Sequence, residues 1–413
     1  MFTHETCRKG FVLLLTLVIM MTLSSIAAAL IFSLTTDFRN AVVQSNDAKA
    51  FWLAEAGIQD AAKRLKNDEI NISDGSTDST SIQNISLGGG IYSVTLSRTG
   101  SDITLTSTGT HGGQTRTVKQ VQVLTLKFPA AFDYAVFGSN STNATLTIAG
   151  GGAGATISGD LFYDRPVPVD SVIVRANSKV INGLVYTDTI SGAGTYTLAS
   201  GDPSPVPSYP VFSTATYDAA ITIADSAPRP DFTLSGSSTL NLAGGTVYYR
   251  NFTAQNTSTV IGPGTIVVTR DVLVRNSAII GSNVKIIAKR QITVRDTSKI
   301  NSGSVLYARR RASLIGSAIV NTSLIVPVIS WGVSNVVIQN SVILTGIVFT
   351  DSLDVFAAAN IKGSIVANRF HGNAIDGMGV KITFNSTYIP TTVPAGFATR
   401  EVYSKKANSW DEV

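Results

Sequence analysis

The sequence predicts a mainly β fold: one long N-terminal α-helix that crosses a membrane, a small antiparallel sheet after it, and then a parallel β-helix, a solenoid of stacked coils, over most of the chain. Three observations predict it. Residues 11–34 are apolar without a single charge. An apolar step of three or four residues continues from there to Leu65 with no proline in the way. A repeat of 20 residues then runs through the second half of the chain. Composition agrees, since only 14% of residues are charged and mean hydropathy is +0.23, unusual for a soluble enzyme. A net charge of +5 over 413 residues gives no reason by itself to invoke nucleic acid.

The apolar stretch opens on Phe11 and closes on Leu34, 24 residues in all. At about 1.5 Å per residue such a helix spans roughly 36 Å, enough to cross a ~30 Å hydrocarbon core. Arg8 and Lys9 precede it, so the positive-inside rule keeps residues 1–10 cytoplasmic and translocates the chain from Asp37 onward. A cleaved signal peptide is the competing reading, with Ala27, Ala28 and Ala29 as its small-residue site. Against it, the apolar run continues through Leu30, Ile31, Phe32 and Leu34. The single cysteine, Cys7, lies before the apolar run and supports neither a disulfide framework nor a thiolate metal site.

Phe38, Val42, Ser45, Ala48, Phe51, Ala54, Ile58, Ala61 and Leu65 form one apolar-to-small helical face. One continuous helix over residues 11–69 follows, its first half in lipid and its second half packed on an extracytoplasmic domain. A short basic leader ending in Gly10, then Phe11, then a long half-embedded helix resembles the type IV pilin family. Residues 50–61 (AFWLAEAGIQDA), with the Ala54-Glu55-Ala56-Gly57 core, are similar to the PilX-type minor pilins. The resemblance covers roughly residues 1–70. It implies cleavage by a prepilin peptidase between Gly10 and Phe11, a methylated Phe11 as the new N-terminus, and other pilin-like subunits and assembly machinery as partners. Leu15 stands where most pilins carry a glutamate, a departure often seen in minor and tip-located members. The implied location is the bacterial inner membrane, with the bulk periplasmic or extracellular.

Residues 91–98, 102–110 and 115–126 alternate apolar and polar and are separated by Gly100 and Gly112-Gly113, which predicts an antiparallel meander within a small sheet domain of residues 70–128. The polar stretch 67–84 reads as a loop.

The solenoid is expected over residues 129–385. Apolar triplets recur at 247–249, 266–268, 286–288, 305–307, 347–349 and 365–367, with a second set at 252–254, 272–274, 292–294, 312–314 and 353–355. Asn256, Asn276, Asp296, Gly316, Asn340 and Asn360 then mark a corner, in residue types that tolerate left-handed backbone. Three short strands per coil, stacked at ~4.8 Å, turn these side chains into internal ladders. Residues 172–181 are a weaker copy. A right-handed coil is expected, since the repeat is not a strict multiple of six. A proline-rich insertion near 200–231 reads as an excursion, and residues 386–413 as a cap over the last coil.

The repeat also aligns charge. Arg250, Arg270, Arg290 and Arg310 are spaced by 20, with Arg275 and Arg295 at the same interval nearby. Stacking the coils makes a column of guanidinium groups, which suits carboxylates, sulfates or phosphates of an acidic polysaccharide, DNA or another anionic surface; the plainer alternative is a solvated corner. Catalysis is not expected. Asp271, Asp296, Asp351 and Asp354 fall at different phases of the repeat, and His4, His111 and His371 have no metal-ligand spacing. Neither a cofactor nor a small-molecule substrate is expected. The function read from all this is a non-catalytic, membrane-anchored minor or tip subunit of a type IV pilus or pseudopilus, exposing its β-helix for cell adhesion or pilus assembly. A bactofilin-like scaffold polymerising end to end is the alternative, and a carbohydrate-active β-helix enzyme a third.

Overall fold

A computed structural model describes residues 4–67, 69–70, 72–139, 145–164, 172–203, 206–327, 335–376, 378–407, 409 and 411–412. The chain forms two compact units: residues 1–126 with 401–413, and residues 127–400. The first three residues of the leader, Ser204 and Pro205 of the proline-rich stretch, and Trp410 and Val413 of the tail lie outside the described residues.

In the first unit, α1 (His4–Lys66) runs unbroken for 63 residues. Its apolar half is bare: Leu13, Met20 and Phe32 are 70–76% exposed. Its other end is packed, with Ala50, Ala54, Ile58, Ala61 and Leu65 at most 1% exposed. The predicted packing face therefore begins at Ala50 rather than at Phe38, which is 71% exposed. The sheet sets that limit, since residues 50–65 rise about 24 Å, roughly the length of seven strand residues.

The sheet is antiparallel, β1 (Thr77–Leu87), β2 (Gly90–Thr99), β3 (Asp102–His111) and β4 (Gln114–Lys127) pairing in chain order. The meander expected from the alternating residues is β2–β4. β1 is a correction, because the stretch read as a loop carries an edge strand. Only Ile82 of β1 is buried, so its sequence shows no alternation to detect. Gly112 and Gly113 hold φ of +54° and +81°, the conformation a two-residue hairpin turn requires between His111 and Gln114. A second correction concerns the tail. Strand Arg400–Lys405 adds beside β4, and Asp411–Glu412 also pairs with β4, so this part of residues 386–413 completes a sheet rather than capping the solenoid. Lys406 Nζ fixes it to Asp102 Oδ2 at 2.5 Å.

The second unit is a parallel β-helix with 25 hydrogen-bonded strands among the described residues, arranged in three ladders. Its inner core is mainly aliphatic: Val260, Ile266, Val272, Ile280, Ile286 and Ile292 are at most 1% exposed, while Leu240 and Val247 in the coil that starts at Phe232 are only partly buried. The first ladder, which holds Thr246–Tyr249, Gly264–Val268 and Val284–Ala288, is buried on its outer side as well. Outward-pointing Val267, Ile287, Tyr307, Ile325 and Phe349 lie under an aromatic layer that includes Phe128, Phe132, Phe212 and Phe397.

At the corner expected to be left-handed, Asn256, Asn276, Asp296, Gly316 and Asn340 hold φ between +52° and +83°. Asn360 does not. That coil is shorter, its left-handed residue is Ala357 (φ +54°), and Asn360 is a strand residue paired with Ile343 and Lys381.

Coil order in space departs from coil order in sequence. Among the described residues the coil that starts at Phe232 pairs on one side, with residues 252–268. The coil at residues 360–383 is followed in the stack by residues 136–158: Ile365 pairs with Val136, Ile375 with Ile148 and Lys381 with Thr156. Residues 161–181 and then 185–198 extend the stack further. The proline-rich stretch is thus the connection from one end of the solenoid to the other. It contains α2 (Ala215–Asp225), whose Tyr217, Ile221 and Ala224 are buried in the aromatic layer.

Candidate functional site

Two features stand out as surfaces with chemistry: the bare half of α1 and the arginine corner. The first is polar-neutral by construction. Its side-chain hydroxyls turn back onto the helix, Thr16 Oγ1 donating to the Leu13 carbonyl at 2.8 Å, Thr22 to Ile19 at 2.9 Å, Ser25 to Thr22 at 2.8 Å and Thr36 to Phe32 at 2.8 Å. Thr35 donates to the Ile31 carbonyl. These donors are satisfied within the helix, without water. The segment from Val12 onward is the one helix long and apolar enough to cross a membrane among the described residues, and none of its apolar window is buried. Gly10 and Phe11 lie in α1, but their side chains are outside the described residues; Leu34 is 66% exposed.

Where α1 meets its sheet, the small residues of residues 50–61 have a steric purpose. A Cβ at Gly57 would lie 2.3 Å from Ser107 Oγ and 2.8 Å from the Tyr92 ring. Opposite, a Cβ at Gly109 would lie 2.2 Å from the Ala50 carbonyl oxygen. Glu55 is half-buried. Charged pairs flank the contact. Arg116 grips Asp47 with both arms, Nε to Oδ1 at 2.6 Å and Nη2 to Oδ2 at 2.5 Å, and this holds the Asp47 carboxyl below its ordinary range. Arg64 binds Asp60 at 3.1 Å, which also accepts from the Tyr92 hydroxyl at 3.1 Å.

The repeat brings the four arginines together. The amide of Arg270 donates to the Arg250 carbonyl at 2.9 Å, Arg290 to Arg270 at 3.1 Å, and Arg310 to Arg290 at 3.1 Å. All four are exposed. Their surroundings are less positive than the sequence pattern implies. Arg250 forks onto Asp231 at 2.8 and 2.5 Å, an arrangement that pushes the Asp231 carboxyl far below its usual range. Arg290 lies 3.8 Å from Asp271. Arg275 reaches Gln255 at 3.0 and 2.6 Å, and Arg295 lies 3.7 Å from Asp296. Among the described residues Arg270 and Arg310 have no ion-pair partner.

α2 supplies acids that the repeat analysis did not connect to this region: Asp225 meets Lys289 at 2.6 Å and Asp218 lies 3.8 Å from Arg309. The signal was present, because Asp218 and Asp225 are seven apart, one helical face, and Lys289 and Arg309 are 20 apart, neighbours in a stack.

The remaining candidates do not assemble. Asp351 is 3% exposed and tied to Arg369 and to Asn368 Nδ2, the latter at 3.1 Å. The imidazole of His371 lies outside the described residues, as do residues 1–3 next to His4. His111 belongs to the sheet of the first unit. Among the described residues no group of His, Cys, Asp and Glu gathers as metal ligands.

No family model matches the chain, and no curated protein matches it. Among solved structures, the competence-associated pilin ComZ from Thermus thermophilus is similar over 89% of this chain and 97% of that one, at 14% identity and a TM-score of 0.28.

Proposed function

We propose that this protein is a pilin-like surface subunit, anchored in the bacterial inner membrane by residues 11–34 and assembled through that helix with other pilin-like subunits. One observation carries the reading: a single unbroken helix is bare and apolar over its first half and packed on a sheet over its second. Such a helix leaves a lipid-compatible stalk that can be withdrawn from a bilayer only into an equally apolar environment, such as a bundle of like helices. The leader ending at Gly10 and the AFWLAEAGIQDA segment make the PilX-type minor pilins the relevant comparison. Bulk points to a minor or tip position, because a solenoid of residues 127–400 is too large to recur at every step of a thin filament. The arginine corner is the part of the solenoid suited to an anionic partner, whether acidic polysaccharide, DNA or another acidic surface, in adhesion or assembly.

N-terminal mass analysis of the protein extracted from membranes tests the reading. The expected result is a chain beginning at methylated Phe11 that stays with the membrane after carbonate washing. A freely soluble chain beginning after Ala29 would overturn it.

A further inference from the structure

A sizeable groove lies in the second unit, away from the arginine corner. It measures about 660 Å³ and runs between successive coils and the segment formed by residues 387–395. That volume falls in the range of small-ligand sites, about 300–1,000 Å³.

Its floor is polar and stepped by the solenoid itself. Asn321 pairs with Thr345, and Ser304 with Thr322, so amide and hydroxyl groups recur from coil to coil. The floor is also rigid. Thr322 Oγ1 donates to the Ser304 carbonyl at 2.7 Å, while Ser304 Oγ accepts from the Val284 amide at 3.3 Å and donates to the Gly281 carbonyl at 3.1 Å. Gly346 keeps it open, since its φ of +136° and a Cβ only 2.2 Å from the Thr322 carbonyl oxygen would strain any larger residue. Tyr388 and Pro390 form part of the opposite wall. The wall also includes Tyr217, 1% exposed, whose hydroxyl has no hydrogen-bond partner among the described residues.

Charge in the groove is one-sided. Lys285 is its one ionisable cation, no carboxylate lines it, and among the described residues Lys285 has no ion-pair partner. A rigid, hydroxyl- and amide-lined floor suits a ligand with many hydroxyls. An aromatic ring and proline on the rim suit the apolar face of a sugar ring. A lone ammonium suits one carboxylate. A phosphate-rich ligand would need more cations, and a lipid tail an apolar floor.

We infer that this groove binds an acidic sugar of the uronic acid class, with Lys285 on its carboxylate and Asn321 and Thr345 on its hydroxyls. The inference stands on the second unit alone and holds whether or not α1 enters a filament.

Calorimetric titration of the full chain in detergent micelles with tetragalacturonate and with a neutral tetrasaccharide tests it. The expected result is binding of the acidic probe in preference to the neutral one, weakened about tenfold or more in Lys285→Ala, the loss of one charge-assisted contact. Asn321→Ala weakens it less, and Arg270→Ala and Arg310→Ala test the corner as a rival site for the same probe. Lys285 is only half-buried, so its variant keeps the fold, which circular dichroism verifies. Absence of binding to the wild-type chain at millimolar probe overturns the inference. So does unchanged affinity in Lys285→Ala, or loss of binding in the two arginine variants, which would move the interaction to the corner.

Discussion

The ring of Tyr217 stacks on that of Tyr307 at 4.1 Å between centroids and 8° from parallel. One belongs to α2 and the other to the outer side of the first ladder, so this pair joins the returning connection to the coils it crosses. Phe212 adds to the stack, 5.8 Å from Tyr217 and 6.4 Å from Tyr307.

Removing the Tyr217 ring should therefore loosen the whole connection. Tyr217→Ala is expected to cost about 3–5 kcal/mol, the usual loss for a buried aromatic, read as a lower urea midpoint of the full chain. Tyr217→Phe should leave the midpoint nearly unchanged, because the lost hydroxyl has no hydrogen-bond partner among the described residues.

Alkali should act at the same place. Burial pushes the phenols of Tyr134 and Tyr217 up to about 12 and that of Tyr307 upward too, from an ordinary value of 10.0. The unfolded chain releases these protons first. The stability they contribute is thus complete below pH 10 and is lost as pH rises toward about 12. Denaturant midpoints measured from pH 9 to 12 should fall in that window, while tyrosinate absorbance lags until the fold opens.

In the first unit, Gly109→Ala should separate helix from sheet. The added methyl meets Ala50 and Ala54 backbone atoms at 2.2 and 2.4 Å, which cannot rotate away. Overpacking of this kind costs about 1–3 kcal/mol. Hydrogen exchange of the amides in residues 50–65 should rise in this variant, while the amides of the solenoid coils keep their protection.

The place where sequence order and stacking order part company offers a sharper test. Val136→Pro removes the amide that donates to the Asp160 carbonyl at 3.4 Å and, sitting in a central strand, should break the ladders on both sides, to residues 161–163 and to residues 365–367. Amides of residues 161–163 and 365–367 should then exchange faster. Those of residues 252–254, at the other end of the stack, should not.

Much of this fold was written in the residue pattern, and the misses have physical causes. The ladder holding Ile266-Val267-Val268 and Ile347-Val348-Phe349 is apolar at successive positions because it is covered on both sides, whereas Ile292-Thr293-Val294 alternates because one side faces water. Asn and Asp at the corner gave the coil period. The stacking order was illegible, since a parallel ladder of Val and Ile accepts almost any other such ladder and nothing in residues 136–138 singles out residues 365–367. The arginine column could be found by counting. The spacing of Asp218 and Asp225 was visible too, but not that they meet Arg309 and Lys289 beside the column, because the destination of α2 depends on the connection that carries it. The groove at Lys285 was hidden for a similar reason, since residues 387–395, one of its walls, carry no periodic signal.

Synthesis proceeds from residue 136 toward residue 383, yet the coil at 136–158 rests against the one at 360–383. The earliest coils accordingly wait with an unsatisfied row of amides and carbonyls until the final quarter of the polypeptide has been made. β4 waits likewise for Arg400–Lys405. During that interval each nascent molecule carries strand edges ready to capture a neighbour, so shielding by a chaperone, or delayed collapse until release, is a requirement built into the order of its coils.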